Sequence, residues 1–392
     1  MPPPYWFPAL HRMSRPGGNR AAPAQAARLP RVTLRRTALT ETHRAAGAKM
    51  ADFGGWEMPI EYPTGVVAEH AAVRSAVGVF DVSHMGKLVV AGPGAAAALN
   101  QLLANDLDRI GSGQAQYSML CNEAGGVVDD LIVYRVGDDE VRIVPNAANA
   151  AAVRTALASG LPEPVTVSDL HEDEGILAIQ GPGSRDVMVD LGLLDPDHDL
   201  PYMAFSTTEF TGESAVVCRT GYTGEHGYEV ILPVAGLVEL WAAVASRAAP
   251  CGLGARDTLR TEMGYPLHGQ DLSASITPVE AGMSWAVGWD KTAFSGRDAL
   301  VAQRAEGRPR ALRGLLLQGR GVPRPHMPVQ RADGTAAGET TSGTFSPTLR
   351  AGVALALVDP LLTFGDEVAI DIRGRAVPAT VVRLPFVGSS PK

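Results

Sequence analysis

The sequence predicts an α+β protein, with two layered, ferredoxin-like α+β subdomains between residues 34 and 300 and a separate antiparallel β-barrel over 308–388. Three observations carry this. Up to about residue 300, short β-branched runs alternate with short helical runs, at spacings too tight for the long crossovers of a parallel sheet. Beyond Arg308 come short apolar runs (RGLLLQG, MPVQRA, GETTSGTFSP, GVALALV, DEVAIDIRG, VPATVVRLP) separated by Gly, Pro and Asp turns, the texture of a small barrel or jelly roll. And 392 residues at 45% hydrophobic and 19% charged are enough for two or three real cores.

The chain opens with an arm, residues 1–33, rich in Pro, Ala and Arg and without apolar periodicity, which predicts a disordered extension. Residues 1–36 hold seven Arg and no Lys, Asp or Glu, which leaves 27 basic against 42 acidic residues in the remainder, a net charge of −15. Such an acidic body argues against broad nucleic-acid binding. An Arg-rich, acid-free arm resembles a mitochondrial transit peptide, which would place the protein in the matrix. The preferred reading is an over-extended reading frame on a bacterial, cytoplasmic protein, with folded sequence starting at Thr33 to Thr40. No apolar run is long enough to span a membrane. The three cysteines, 121, 218 and 251, lie far apart without CxxC spacing, so a reducing compartment is expected and no metal site.

Taken in order, a polar helical stretch (TETHRAAGAKM) leads to ADFGGWEMPIEY, whose glycines and Pro59 predict a tight turn and a short extended segment. A helix is expected over 65–77. VGVFDVSHMGKLVVAG reads as a strand interrupted at Asp81 to Met85, and His84 within it as a hydrogen-bonded structural residue. A helix over 94–106, a strand and turn (AQYSMLCNEAGG), the strand of GGVVDDLIVYR, and a further strand and helix complete the first subdomain, with its boundary near 155–165. The second holds ILAIQGPGSRDVM, a glycine-rich hairpin (SAVVCRTGYTGEHGYEVILP) and the helix VAGLVELWAAVASR. QGPGS lacks the lysine and spacing of a phosphate loop, and no GxGxxG follows a strand. GLGARDTLR opens an amphipathic helix, and FSGRDALVAQR another, capped by Ser295.

Three stretches carry candidate chemistry. In GGVVDDLIVYR the alternation of a strand puts Asp130, Ile132 and Tyr134 on one face and Asp129, Leu131 and Val133 on the other. One carboxylate could thus line a pocket for a flat polar ligand, with Ile132 and Tyr134 as wall. Taken alone, the stretch reads first as an edge strand beside a turn. In GYTGEHGYE, glycines 221, 224 and 227 permit left-handed backbone or close approach, and Glu229 lies in an apolar strand where a carboxylate must be satisfied. A paired Glu229 can accept two parallel N–H bonds from an amidine-like ring, whereas the bland reading is an exposed Glu on a hairpin. Arg256 and Arg260 share a helix face, suited to gripping a carboxylate or to an internal ion pair with Asp257 or Glu262.

Together, FDVSHM (80–85), NEAGGVVDDLIVY (122–134), GYTGEHGYE (221–229), GLGARDTLR (252–260), LHGQDL (267–272) and TSGTFSPTL (341–349), in order and at family spacing, resemble the aminomethyltransferase (T-protein) family of the glycine cleavage system. The resemblance runs from about Leu34 to Val387. It implies a three-domain cloverleaf around a central tetrahydrofolate pocket, with tetrahydrofolate as co-substrate and the lipoylated H-protein as partner of a chain that is otherwise a monomer. By the same resemblance Asp130 is the catalytic acid, Glu229 and Arg256 bind folate, and Tyr117, Met85, Ile132 and Tyr134 form pocket wall, while Asp129 is a structural partner for the turn. Some family members use an aromatic near the C-terminus; PFVGSSPK has no tyrosine, so that contact is expected to be absent or replaced. Two relatives with other roles are weighed against this. Folate modules of dimethylglycine and sarcosine demethylation are fused to or assembled with a flavin module, for which this chain has no fingerprint. Iron–sulfur assembly factors on the same fold carry KGCYxGQE, where this chain reads RTGYTGEHGYE without the cysteine.

Overall fold

The computed structural model describes residues 33–388 and Pro391. But for Thr33, the expected disordered arm lies outside them. The described chain is mixed α+β. It forms a three-stranded sheet, a five-stranded sheet, a six-stranded sheet and a closed six-stranded barrel.

The five-stranded sheet is antiparallel, in the order Gln114–Cys121, Val127–Arg135, Glu140–Pro145, Leu88–Ala91, Thr166–Asp169. Val127–Arg135 is paired on both sides, so the edge-strand reading does not hold. Its two faces are both covered. Leu131 and Val133 pack with Leu88, Val141, Val153 and Leu157, while Ile132 and Tyr134 pack with Phe80, Cys218 and Leu259 of the second sheet and its helix. Burial on both faces suits a strand that is apolar but for Asp129, Asp130 and the arginine at its end.

The six-stranded sheet runs Phe205–Phe210, Glu213–Cys218, Gly227–Pro233, Glu174–Gln180, Gly78–Asp81, Ala249–Pro250, antiparallel except for its last pair. The interruption at Asp81 to Met85 is therefore a crossover: Gly78–Asp81 ends in this sheet, and Leu88–Ala91 belongs to the other. Trp56–Glu61 pairs parallel with Arg35–Arg36 and antiparallel with Lys49–Phe53. The barrel order is Ala311–Leu317, Ala351–Val358, Ala336–Ser346, Pro328–Arg331, Glu367–Asp371, Ala376–Val382, the last strand pairing with the first.

Two expectations are corrected. The helix expected over 94–106 spans only Ala95–Asn100. Asn100 accepts from Leu107 N at 3.0 Å and Asn105 accepts from Asp106 N at 2.8 Å, so short polar side chains take backbone donors that a longer helix would need. The Arg297–Glu306 helix is not capped by Ser295: Gly296 stands at its N-cap in left-handed backbone, without a side-chain cap. A Cβ on Gly296 would lie 2.4 Å from the Asn122 carbonyl, so close approach to the turn before Val127 decides the residue there.

Candidate active site

Asp130 sits on the Val127–Arg135 strand and is held from two directions. Its Oδ2 accepts the Tyr117 hydroxyl at 3.0 Å, and its Oδ1 accepts Asn146 Nδ2 at 2.9 Å. Tyr117 pairs with Ile132, so its side chain reaches Asp130 diagonally across the two strands. The Tyr117 ring in turn stacks on Trp285, their centroids 5.6 Å apart, and Trp285 is itself 63% exposed. Burial pushes the Asp130 carboxyl above the usual carboxylate range, against the pull of charge on His268 and of the hydrogen bonds from Tyr117 and Asn146.

Asp129 does not partner the turn before it; that turn is held by Asn122, which accepts from Gly126 N at 3.0 Å. Asp129 is fully buried and accepts three N–H groups: Asn146 N on Oδ2 at 2.9 Å, and Asn146 Nδ2 and Asn149 Nδ2 on Oδ1 at 2.9 and 2.7 Å. The strand register slips by one residue between Leu120 and Cys121, directly beside the acidic pair, as bulges near sites often do. Both carboxyls come within reach of the one Asn146 amide. Burial first, then the neighbouring Asp130, push Asp129 well above the usual range.

Glu229 lies in a central strand, opposite Cys218 on one side and Ala178 on the other, not on an exposed hairpin. Its Oε2 accepts the Thr220 hydroxyl at 2.6 Å, and the Tyr134 hydroxyl lies 3.4 Å from the same Thr220 oxygen. The preceding loop owes its shape to Gln180 of QGPGS. Gln180 Nε2 donates to Thr220 O and Tyr228 O at 3.2 Å each, and Cβ atoms on Gly221 or Gly227 would lie 2.1 and 2.4 Å from its amide. Two of the loop's glycines are thus required by close approach, and Gly224 by its φ of +80°.

Arg256, on the Leu253–Met263 helix, places its guanidinium over the Tyr222 ring at 5.0 Å. Its Nη1 is buried and has no hydrogen-bond partner. Burial lowers its proton affinity and the charge of Glu229 opposes that, which puts the two in each other's field. Arg260, one turn on, is committed elsewhere: it donates to Asp257 at 2.7 Å and to Asp271 at 2.9 Å. Tyr222 stacks on Tyr265 and donates its hydroxyl to Pro266 O. Met85 and Ile132 pack at the margin of the apolar cluster that holds Tyr134, and Tyr134, 2% exposed with its ring edge on Phe205, faces the group only through its hydroxyl.

Sequence reading missed Asn146, Asn149 and His268. His268 Nε2 donates to Val127 O at 3.0 Å, and its Nδ1 meets Asn149 Nδ2 at 2.9 Å. The signals were PNAAN, two amides three residues apart directly after a strand, and the histidine inside LHGQDL; neither names its partner. Surface cavities of about 280 Å³ beside Arg35 and Trp56 and about 330 Å³ beside Cys121 and Ser295 lie outside this group, so the site is assigned on its chemistry rather than its volume. Among the described residues no cluster of His, Cys, Asp and Glu could hold a metal ion, and no helix is long and apolar enough to cross a membrane.

Residues 39–291 match the family model of the GCVT N-terminal domain, and residues 310–388 that of the glycine cleavage T-protein C-terminal barrel domain. An aminomethyltransferase of Parafrankia sp. is 58% identical over 92% of this chain and 99% of its own, and one of Mycobacterium avium is 56% identical over 89% and 96%. The crystal structure of the glycine cleavage system aminomethyltransferase T from Bartonella henselae superposes with a TM-score of 0.86 at 35% identity, over 91% of this chain and 99% of that one. On this evidence the chain belongs to the glycine cleavage T-protein family and is an aminomethyltransferase.

Proposed function

We propose that the chain transfers the methylene carbon from the aminomethyl-dihydrolipoyl arm of a lipoylated H-protein to tetrahydrofolate, releasing ammonia and forming 5,10-methylenetetrahydrofolate. The observation that carries this reading is the pairing of a half-buried, doubly held carboxyl, Asp130, with a buried guanidinium nitrogen on Arg256 that has no acceptor of its own. A folate fits that donor and acceptor set. Glu229 would accept N–H groups of the pterin, the free N–H of Arg256 would bond an acceptor of the folate, and Tyr117, Met85 and Ile132, with Tyr134 behind them, would supply apolar wall. Tetrahydrofolate contributes two nucleophilic amines, whose bonds to carbon replace those to sulfur and nitrogen in the donor.

The protein's part is position and charge. Asp130 faces the amines as positive charge develops at the transferred carbon, and in a dry site that attraction is worth far more than in water. Because Tyr117 and Asn146 already fix the carboxyl, it needs no reorganisation when the reactants arrive. We take residues 34–300 as the folate-binding region, the barrel as its closure, and the bacterial cytoplasm as the setting, since the matched relatives are from bacteria.

Ammonia release from aminomethylated H-protein, with and without tetrahydrofolate, tests the reaction. Release that depends on folate supports it; formaldehyde capture without H-protein would favour the demethylation relatives, and no turnover at all a folate-binding assembly factor. Asp130→Asn should bind folate normally and lose at least about 100-fold in turnover, as removal of a single preorganised electrostatic group does. Near-normal turnover in that variant would remove Asp130 from the chemistry.

A further inference from the structure

Asn149 occupies the N-cap of the Ala150–Gly160 helix, a position where an Asn side chain ordinarily accepts a backbone N–H of the first turn. Here it makes no such cap. Its amide instead spans two other groups, Asp129 Oδ1 at 2.7 Å and His268 Nδ1 at 2.9 Å. The histidine fixes which way that amide faces. Val127 O can only accept, so His268 Nε2 carries the hydrogen, and in the neutral ring Nδ1 then presents a lone pair that only an N–H can satisfy. One N–H of Asn149 therefore goes to His268 and the other to Asp129. Turning the amide over would set two oxygens against each other at Asp129. The chain of bonds closes on the strand that carries both aspartates, since Val127 stands two residues before Asp129.

From this geometry we infer that His268 and Asn149 are positioning residues for Asp130: Asn149, oriented by His268, supplies one of the three N–H donors on Asp129, and with the two from Asn146 it holds Asp129 as the anion of the pair and leaves Asp130 as the carboxyl that takes up the proton. The inference rests on Asp130 being the acting group, as proposed above. Two adjacent carboxyls share protons as a pair. Burial and the charge of Asp130 press the proton toward Asp129, while its N–H donors favour the ionised form and press it toward the member with fewer donors. Asp129 has three N–H donors; Asp130 has one hydroxyl and an N–H shared with Asp129. Charge on His268 would itself pull Asp130 down. The other charged and titratable groups about the pair are Tyr117 from the neighbouring strand, Tyr222 from the glycine loop, and beyond Tyr222 the Arg256 guanidinium and the Arg260–Asp271 ion pair. Burial moves both tyrosines above their ordinary values, so neither competes for the proton near neutrality. The gain is a stronger base. When a folate amine forms its bond to carbon its N–H breaks and an Asp130 O–H forms; that O–H then breaks as the departing amine gains the proton and leaves as ammonia.

The test is the pH profile of kcat for folate-dependent ammonia release in the full chain. His268→Ala frees the Asn149 amide, weakens the hold on the Asp129 anion and lets the proton move to Asp129. The acid limb should then shift about one unit toward lower pH, the worth of one hydrogen bond to a charged group, and the plateau rate should fall. His268→Gln, which can still offer an acceptor to Asn149, should return the limb toward wild type. If His268→Ala does not fold, Asn149→Ser carries the same expectation. A limb that stays in place or moves up while Asp130→Asn is inactive overturns the inference and leaves the reaction standing; an active Asp130→Asn overturns the reading beneath both.

Discussion

Tyr117 and Arg256 show what single side chains contribute here, in opposite ways. Tyr117 is satisfied in the free protein: its hydroxyl donates to Asp130 and its ring stacks on Trp285. Tyr117→Phe keeps the ring and removes the donor. Because that donor favours the ionised carboxyl, its loss should move the acid limb of kcat upward by about one unit and lower turnover about tenfold, with folate affinity little changed. The sign opposes that expected on loosening Asp129, so the two substitutions together distinguish tuning from general damage. Arg256 is unsatisfied, its Nη1 buried without an acceptor. Arg256→Met removes an unpaired buried donor and should stabilise the free protein by about 1 kcal/mol, or at least not destabilise it. The same change should weaken folate binding by about 10- to 100-fold, read by titration calorimetry. A loss of stability with unchanged folate affinity would make Arg256 a structural residue instead.

Among the elements, the Leu253–Met263 helix does most to join site and scaffold. Its Glu262, fully buried, takes Arg74 Nη2 at 2.8 Å, Ser346 Oγ at 2.5 Å, the Thr348 hydroxyl at 3.0 Å and the imidazole of His70 at 3.3 Å. Burial opposes its charge, but the bonds from His70, Ser346 and Arg74 outweigh it and hold the carboxyl at about 2 instead of 4.5. A carboxyl lowered on folding contributes stability above its unfolded value and loses it as pH falls to the folded one. Glu262 should thus contribute about 3 kcal/mol above pH 4.5, lost progressively down to about pH 2. Glu262→Gln should lower the thermal midpoint near neutrality and flatten its fall over that window; an unchanged acid profile would rule the group out. What the sequence made legible at this scale was local. The alternation in Val127–Arg135 separated Asp129 from Asp130, and the turn spacing marked the barrel, because both depend on neighbours in the chain. Register was not legible, so nothing in NEAGGVVDDLIVY pointed Tyr117 at Asp130. Nor was the tie from Asn149 to His268, 119 residues on, because nothing short-range distinguishes a cap Asn that caps from one that reaches away. The helix expected past Asn100 failed for a related reason, since helical spacing alone does not show that Asn100 and Asn105 will take backbone donors.

On the scale of the molecule, the motifs behind the family resemblance divide into those that form the site and those that hold the barrel against it. Arg260 of GLGARDTLR donates to Asp271 of LHGQDL at 2.9 Å and to Ser342 of TSGTFSPTL at 2.9 Å. Asp271, fully buried, also accepts Ser342 Oγ at 2.7 Å, Thr341 Oγ1 at 2.5 Å and Leu267 N at 2.9 Å. Two neighbouring motifs thus make a buried ion pair, the third binds it through hydroxyls of the barrel strand Ala336–Ser346, and the helix that carries Arg260 also carries Arg256 into the site. Removing one partner of such a pair leaves a buried charge uncompensated, which costs about 3 to 5 kcal/mol. Asp271→Ala should therefore loosen the barrel first. Amide hydrogen exchange should speed up in Ala336–Ser346 and Ala351–Val358 well before it does in Val127–Arg135, whose core packing the change does not touch. Folate affinity should fall as the helix carrying Arg256 loses its anchor. Exchange that accelerates equally in all three strands would mean that barrel and site unfold as one unit, and that the ion pair contributes to a common stability without setting the seam between them.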